Sequence, residues 1–390
     1  MVQPTYRFNR RTDRIDFSKI RIYSALVSKN PGSIDLTLGE PDFVTPAHIC
    51  KAAKEAMDQG FTHYTPTSGI LQLRDAISEK LRRQNGIEAD ANSEILVTSG
   101  AMEAITLTMQ AMINEGDEVL VPDPAFDSYI PNILLAGGVP VLLPLSEPDF
   151  RVDVDKVAKL VTDKTRIIVL NSPSNPTGSI VDTEDQKEIL DIAVKNNVIV
   201  MSDEVYGDIT YDEYKHHSIA SLLEGFSRCV SIFSFSKAYA MTGWRIGYVV
   251  SAKEIITKMA KLHRNIIAHP TSIAQMAALA ALTGPQDNVR KMLQEFDRRR
   301  IFLLETLERL GIPCPRPKGA FYLFPSMREF GNKSDAIAES LANEGVVTVP
   351  GSAFGACGEG HLRISYAASM EKLNKAAKAM ERWVKSHRKD

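Results

Sequence analysis

Between residues 95 and 251, short apolar runs alternate with stretches of helical period, and this alternation most narrows the folds open to the chain. Residues 95–98, 118–121, 139–143, 166–170, 198–202, 229–233 and 246–251 read as strands, and residues 101–113 and 183–196 read as helices between them. Parallel strands need a long crossover to return to the starting edge of a sheet, and a helix supplies it. The pattern therefore predicts an α/β fold of βαβ units: a mostly parallel sheet sandwiched by helices. Residues 270–283 are alanine-rich and helical, and residues 287–310 form a long amphipathic helix suited to linking two units. Beyond it, strands at 320–324, 346–349 and 361–366 mix with helices at 333–344 and 370–387, a smaller α+β unit. The first forty or so residues carry little helix or strand signal and are expected to lie against that smaller unit. At 390 residues the chain exceeds one ordinary core. The expected division is a large domain over residues 46–286 and a small domain built from residues 1–45 and 287–390.

Bulk properties exclude several roles. The formal net charge is −2, which offers no general attraction to nucleic acid or to an anionic membrane. No apolar run reaches membrane-spanning length. The four cysteines, Cys50, Cys229, Cys314 and Cys357, are widely spaced and have no metal-ligand spacing. They read as reduced thiols, which suits a cytoplasmic protein, and no metal is expected. Residues 1–16 are polar and basic without the apolar segment of a secretory signal.

In an open parallel sheet, ligands bind outside the carboxyl ends of the strands. Four predicted strands end in polar groups there. The strand at 229–233 runs into Ser234-Phe235-Ser236-Lys237, then Thr242-Gly243-Trp244-Arg245-Ile246-Gly247. One amine, several hydroxyls and one guanidinium are close together. An amine can form a Schiff base with an aldehyde, and hydroxyls with an arginine can hold a phosphate, which is the pairing pyridoxal phosphate needs. The strand at 198–202 ends in Asp203-Glu204-Val205-Tyr206. A buried carboxylate needs a cationic partner: a pyridinium N–H, or a structural ion pair. The strand at 166–170 ends in Asn171-Ser172-Pro173-Ser174-Asn175-Pro176-Thr177-Gly178. Asn175 either bonds a cofactor ring or stabilises its own turn. The strand at 95–98 is followed by Ser99-Gly100-Ala101-Met102, either an ordinary turn into a helix or an anion-binding helix start. In the smaller unit, Arg363 alternates with apolar residues in Leu362-Arg363-Ile364-Ser365. It is edge-exposed, paired with an acid, or aimed into a cleft where its planar fork would hold a carboxylate.

In this order, these residues resemble the class I and II aminotransferases of the fold-type-I pyridoxal-phosphate enzymes. The resemblance runs from Leu38-Gly39-Glu40-Pro41-Asp42-Phe43 through Tyr64 and the strand-end motifs to Arg363. It implies that Lys237 carries pyridoxal 5'-phosphate and shuttles the proton of the substrate Cα. It implies that Asp203 pairs with the pyridine nitrogen, and that Asn175 and Tyr206 bond the ring oxygen. Gly100, Ala101, Met102, Ser234, Ser236 and Arg245 are implied to hold the phosphate, with Tyr64 reaching it from the partner subunit of a homodimer. Phe126 matches the ring-stacking aromatic, and Arg363, with Gly39, the site of the substrate α-carboxylate. The activity implied is transfer of an amino group from aspartate, alanine or an aromatic amino acid to a 2-oxo acid such as 2-oxoglutarate. A second carboxylate would want a further cation, and Arg264, His269 and Arg21 are equally eligible.

Three other readings share parts of this pattern. Ser234-x-x-Lys237 also fits the Ser-x-x-Lys pattern of β-lactamases, but the downstream Ser-Asp-Asn and Lys-Thr-Gly are missing. A regulator carrying an aminotransferase-like sensor would need a DNA-binding module ahead of residue 38, where there is little room. A β-lyase or related elimination enzyme shares the same site residues and stays open.

Overall fold

The computed structural model describes residues 6–29 and 32–388. Twelve strands are formed in chain order. They are β1 (Ile34–Asp35), β2 (Ile95–Thr98), β3 (Glu118–Asp123), β4 (Val139–Pro144), β5 (Thr165–Asn171) and β6 (Ile199–Asp203), followed by β7 (Cys229–Ser234), β8 (Gly247–Val250), β9 (Tyr322–Leu323), β10 (Val346–Val347), β11 (Val349–Pro350) and β12 (Leu362–Ser365). Seven of them make one sheet in the order β2-β8-β7-β6-β5-β3-β4. Neighbours from β7 to β4 are parallel, and β8 alone runs antiparallel to both its neighbours. The expected mostly parallel sheet is therefore present.

Its strands read as unbroken apolar runs because both faces are covered. Successive side chains alternate between two hydrophobic clusters. In β5, Ile168 and Leu170 enter one, while Ile167 and Val169 enter the other. In β2, Ile95 and Val97 lie opposite Leu96 in the same way. Helices pack on these faces with suitable termini: Thr183–Lys195 carries Glu184 and Asp185 in its first turn and Lys195 in its last, complementing the helix dipole.

A third cluster gathers around the C-terminal part, including Leu303, Leu307, Phe321, Tyr322, Ile364, Met380 and Trp383. The helix Asp287–Arg309 contributes to it and carries two buried arginines. Buried guanidinium groups are tolerable only when paired. Arg300 bonds both carboxylate oxygens of Asp212 at 2.8 Å and the Pro317 carbonyl at 2.8 Å. Arg299 reaches Asp42 at 2.7 Å, tying the N-terminal segment to this helix.

Two expectations need correction. The N-terminal segment is not featureless: it forms the helix Lys19–Lys29 and then β1, which pairs in parallel with β10. The run 346–349 is not one strand. Its first half, β10, joins β1, while its second half, β11, pairs antiparallel with β12, placing Val349 opposite Arg363. The buried Thr348 lies where the chain changes sheets. Among the described residues, no helix is long and apolar enough to cross a membrane.

Candidate active site

The carboxyl ends of β5, β6 and β7 lie side by side, with Asn171 opposite Asp203 and Asp203 opposite Ile232. They open into a cavity of about 570 Å³. Its wall takes in Gly39, Ala101, Met102, Phe126, Asn175, Asp203, Tyr206, Ser234, Ser236, Lys237, Arg245 and Arg363, residues that the sequence singled out from separate stretches along nearly the whole chain.

Lys237 follows β7 and points its Nζ to the Gly39 carbonyl at 2.5 Å. Burial, then the positive charge of Arg363, lower its ammonium from 10.5 to about 8. That raises the free-amine fraction near neutral pH by roughly two orders of magnitude. Gly39 is confined by a close neighbour: a Cβ there would collide with the Tyr322 hydroxyl.

Asp203 ends β6 and is 3 % exposed. Its Oδ2 accepts a hydrogen bond from the Tyr129 hydroxyl at 2.6 Å, and its Oδ1 one from the Val205 N–H at 3.3 Å. Among the described residues no cation forms an ion pair with it, so the structural ion pair that the sequence left open is not formed. Burial pushes its carboxyl up to about 6, against the two hydrogen bonds that favour the carboxylate. A group that brought an N–H⁺ to this carboxylate would reverse that cost. Tyr129 was not foreseen. It stands 74 residues before Asp203, and a tyrosine in an apolar helix start gives no signal of its own. Tyr129→Phe is expected to weaken retention of pyridoxal phosphate by about 3- to 10-fold, because one hydrogen bond to the carboxylate is lost. Titrating cofactor-stripped wild-type and variant protein with pyridoxal phosphate measures this.

At the turn after β5, two asparagines divide the work. Asn171 holds the turn, accepting from the Asn175 N–H at 2.7 Å and donating to the Asp203 carbonyl at 3.0 Å. The side chain of Asn175 is thereby left for the cavity, where its Oδ1 accepts from Arg363 Nη1 at 2.8 Å. Tyr206 shares a hydrogen bond with Tyr322, O–O 2.7 Å, and burial raises its phenol well above 10.

Arg363 lies in β12, the middle strand of its three-stranded sheet, so it is neither at an edge nor exposed. Its guanidinium sits 4.5 Å from the Tyr322 ring centre and 4.9 Å from that of Phe354. One Nη donates to Asn175 and the other to the Thr37 carbonyl, while Nε is buried and has no partner among the described residues. Tyr322, Phe354 and Thr37 were not foreseen, since only folding brings them to β12.

On the opposite wall the helix Ala101–Met112 opens at Gly100 with φ 78° and ψ 172°, a conformation that favours glycine. A Cβ on Gly100 would lie 2.6 Å from Arg245 Nη2. The missing side chain lets the guanidinium approach the helix N-terminus, where free N–H groups and the dipole favour an anion. Arg245 is itself left-handed at φ 52° and is steadied by the Thr242 carbonyl at 2.9 Å. The Ser234 hydroxyl accepts from the Ser236 N–H at 3.1 Å, closing the turn below. Phe126 also lines the cavity, edge-on to Tyr129 with ring centres 5.7 Å apart. Tyr64 is the exception: it is 90 % exposed, packs edge-on to His269, and lies outside the cavity of its own chain.

The sequence profile described as "Aminotransferase class I and II" matches residues 31–380. This chain belongs to the class I and II aminotransferases. Within that family it is 46% identical over 376 residues to an aspartate aminotransferase of Pyrococcus abyssi, covering 95% of this chain and 97% of that one. It is 42% identical over 379 residues to aromatic-amino-acid aminotransferase 2 of Thermococcus litoralis, covering 96% and 97%. The solved aspartate aminotransferase of Thermus thermophilus with maleate superposes with a TM-score of 0.92 at 36% identity, covering 97% of this chain and all of the other (100%). The chain is thus a pyridoxal-phosphate-dependent aminotransferase with a fold-type-I architecture.

The cavity fits that cofactor. A buried carboxylate without a cation, an amine of lowered pKa and an arginine cradled against a glycine-opened helix match its ring nitrogen, aldehyde and phosphate in turn.

Proposed function

We propose that the cavity at the ends of β5, β6 and β7 transfers the amino group of aspartate, alanine or an aromatic amino acid to a 2-oxo acid such as 2-oxoglutarate. The observation that carries this reading is the convergence of Lys237, Asp203 and Arg363 on one cavity. Bound there, pyridoxal phosphate supplies an aldehyde that condenses with amines and a ring that accepts the electron pair left at Cα when its proton departs. The protein's own groups do the rest. Arg363 holds the α-carboxylate by a planar fork and so fixes which Cα bond faces Lys237. Lys237 Nζ, as a free amine, would take the Cα proton as a general base and, as the ammonium, hold it for return as a general acid to the substrate–cofactor adduct. Asp203 keeps the ring nitrogen protonated. Asn175 and Tyr206 would bond the ring oxygen, and Phe126 would cover the ring face. Gly100, Ala101, Met102, Ser234, Ser236 and Arg245 hold the phosphate through the helix N-terminus, hydroxyls and guanidinium. Gly39 accepts the Lys237 amine at its carbonyl and borders the α-carboxylate.

The named relatives support the substrate range: one is an aspartate and another an aromatic-amino-acid aminotransferase, and the Thermus thermophilus enzyme was solved with maleate, a dicarboxylate. The apolar Ile105, Val205 and Leu38 in the cavity wall suit uncharged side chains as well. Arrangement as a homodimer is supported by exposed Phe17, Val44 and Tyr64, which a partner surface would cover. Tyr64 would then serve the partner's phosphate. The division into a domain of residues 46–286 and one of residues 1–45 and 287–390 is supported by two hydrophobic clusters whose buried residues all fall within 46–286, and by a third drawn mostly from the remainder, which Tyr206, Ile209, Tyr211 and Ala240 join from the larger part. Free cysteines agree with a cytoplasmic setting.

Product analysis tests the reaction. Holoenzyme mixed with one amino acid and no acceptor is expected to release one equivalent of oxo acid per site and stop, then resume when 2-oxoglutarate is added. Continuous release of ammonia and pyruvate would instead favour the β-lyase reading.

A further inference from the structure

We propose that Arg21 reads the second carboxylate of dicarboxylic substrates, a role that rests on the amino-transfer reading of this cavity. Four cationic side chains line the cavity: Lys237, Arg245, Arg363 and Arg21. The first three are committed to aldehyde, phosphate and α-carboxylate. Arg21, in the helix Lys19–Lys29, has no hydrogen bond or ion pair from its guanidinium among the described residues. The cavity wall also carries Asp127, which accepts from the Ser18 hydroxyl, and Glu40, which accepts from the Thr242 hydroxyl at 2.5 Å; neither forms an ion pair with Arg21 among the described residues.

The helix is fixed where Arg21 leaves it. Ser18 and Arg21, three residues apart, share the face turned to the cavity. Ile20 packs with Phe324, Val349 and Phe354, and Phe354 is the ring against Arg363. Lys19 and Tyr23 both reach Asp335 at 3.1 Å. On the other side the Ser18 hydroxyl bonds Asp127, next to Phe126. Arg21 is thus presented at the mouth between the wall that carries Arg363 and the loop that carries Phe126. An unpaired guanidinium facing a cavity offers a planar fork to a carboxylate. The two other eligible cations lie outside this cavity in their own chain, and His269 Nδ1 is occupied by the Thr65 hydroxyl at 3.0 Å and the Pro270 carbonyl at 2.6 Å. Because Arg21 is solvent-exposed, its long side chain can also lie outward and leave room for an uncharged substrate.

The test compares binding of succinate and butyrate to pyridoxal-phosphate-loaded protein by calorimetry, for wild type, Arg21→Ala, Arg21→Lys and Arg264→Ala. Arg21→Ala is expected to lose roughly 10- to 100-fold in succinate affinity, with the succinate-to-butyrate ratio falling towards one. Arg21→Lys should recover part of that ratio, and Arg264→Ala should keep it. In turnover, KM for 2-oxoglutarate should rise more than kcat falls. An unchanged ratio in Arg21→Ala, or its collapse in Arg264→Ala instead, overturns the assignment. If the amino-transfer reading itself were at fault, wild-type protein would release no oxo acid from any amino acid. If only Arg21 is misassigned, that release persists.

Discussion

Replacing Lys237 by alanine is expected to lower amino transfer by on the order of 10⁴-fold or more, because one side chain serves both as the covalent tether and as the proton carrier. The chain should still fold. The amine is held in the folded state at a cost, since burial lowers its pKa from 10.5 to about 8. The sign of the pH effect follows from proton counting. Below about pH 8 the ammonium is charged in both folded and unfolded chains, and burial of the charge costs stability. Between about 8 and 10.5 the unfolded chain holds a proton that the folded chain has released, so stability climbs with pH. Above 10.5 both are neutral and the cost is gone. Cofactor-stripped Lys237→Ala should therefore be at least as stable as stripped wild type at pH 7, with the advantage shrinking by pH 10. Urea midpoints at the two pH values check this, and steady-state kinetics check the loss of turnover. Wild-type rates in the variant would remove Lys237 from the mechanism.

The second large effect is expected at Arg363. Arg363→Lys keeps the charge but removes the planar fork, and a compact ammonium cannot donate in parallel to both oxygens of a carboxylate. The expected loss is about 2–3 kcal/mol of substrate binding, roughly a 30- to 150-fold rise in KM for the amino acid. Stability should change less. The lysine stem can still lie between the rings of Tyr322 and Phe354, and its ammonium can still reach Asn175 or the Thr37 carbonyl. The partner-free Nε is the atom that marks Arg363 as more than a structural arginine, because a buried N–H without an acceptor is costly unless a ligand completes it. An unchanged KM alongside a markedly lowered melting temperature would make Arg363 a packing residue instead.

Much of this architecture was legible before folding was considered, for one physical reason. Central parallel strands are buried on both faces, so β5 and β7 read as near-continuous apolar runs whose polar last residues stand out. Those last residues are the ones that the sheet lines up beside the cavity. What remained hidden depends on contacts between distant segments. A two-residue strand such as β1 exists only because β10 lies beside it, more than 300 residues later in the chain. Tyr129 acquires meaning only when β6 brings Asp203 to its hydroxyl. Tyr322 likewise looks like any core aromatic until it meets Gly39, Tyr206 and Arg363. For Asn175 the sequence left open a bond to a cofactor ring or a hold on its own turn; the turn is held instead by the side chain of Asn171, four residues earlier, to which the sequence had assigned no role. The helix Tyr129–Ala136 was not among those expected from the sequence; its Pro131 falls within the first turn, where a proline is tolerated because no intrahelical N–H bond is yet required.

The most direct measurement is covalent mapping of the cofactor. Protein loaded with pyridoxal phosphate is reduced with borohydride, digested and sequenced by mass spectrometry. The account predicts one pyridoxyl-phosphate adduct per chain, on the ε-amine of Lys237. A chain that acquires no adduct, or one labelled on another lysine while the peptide containing Lys237 stays unmodified, would contradict it.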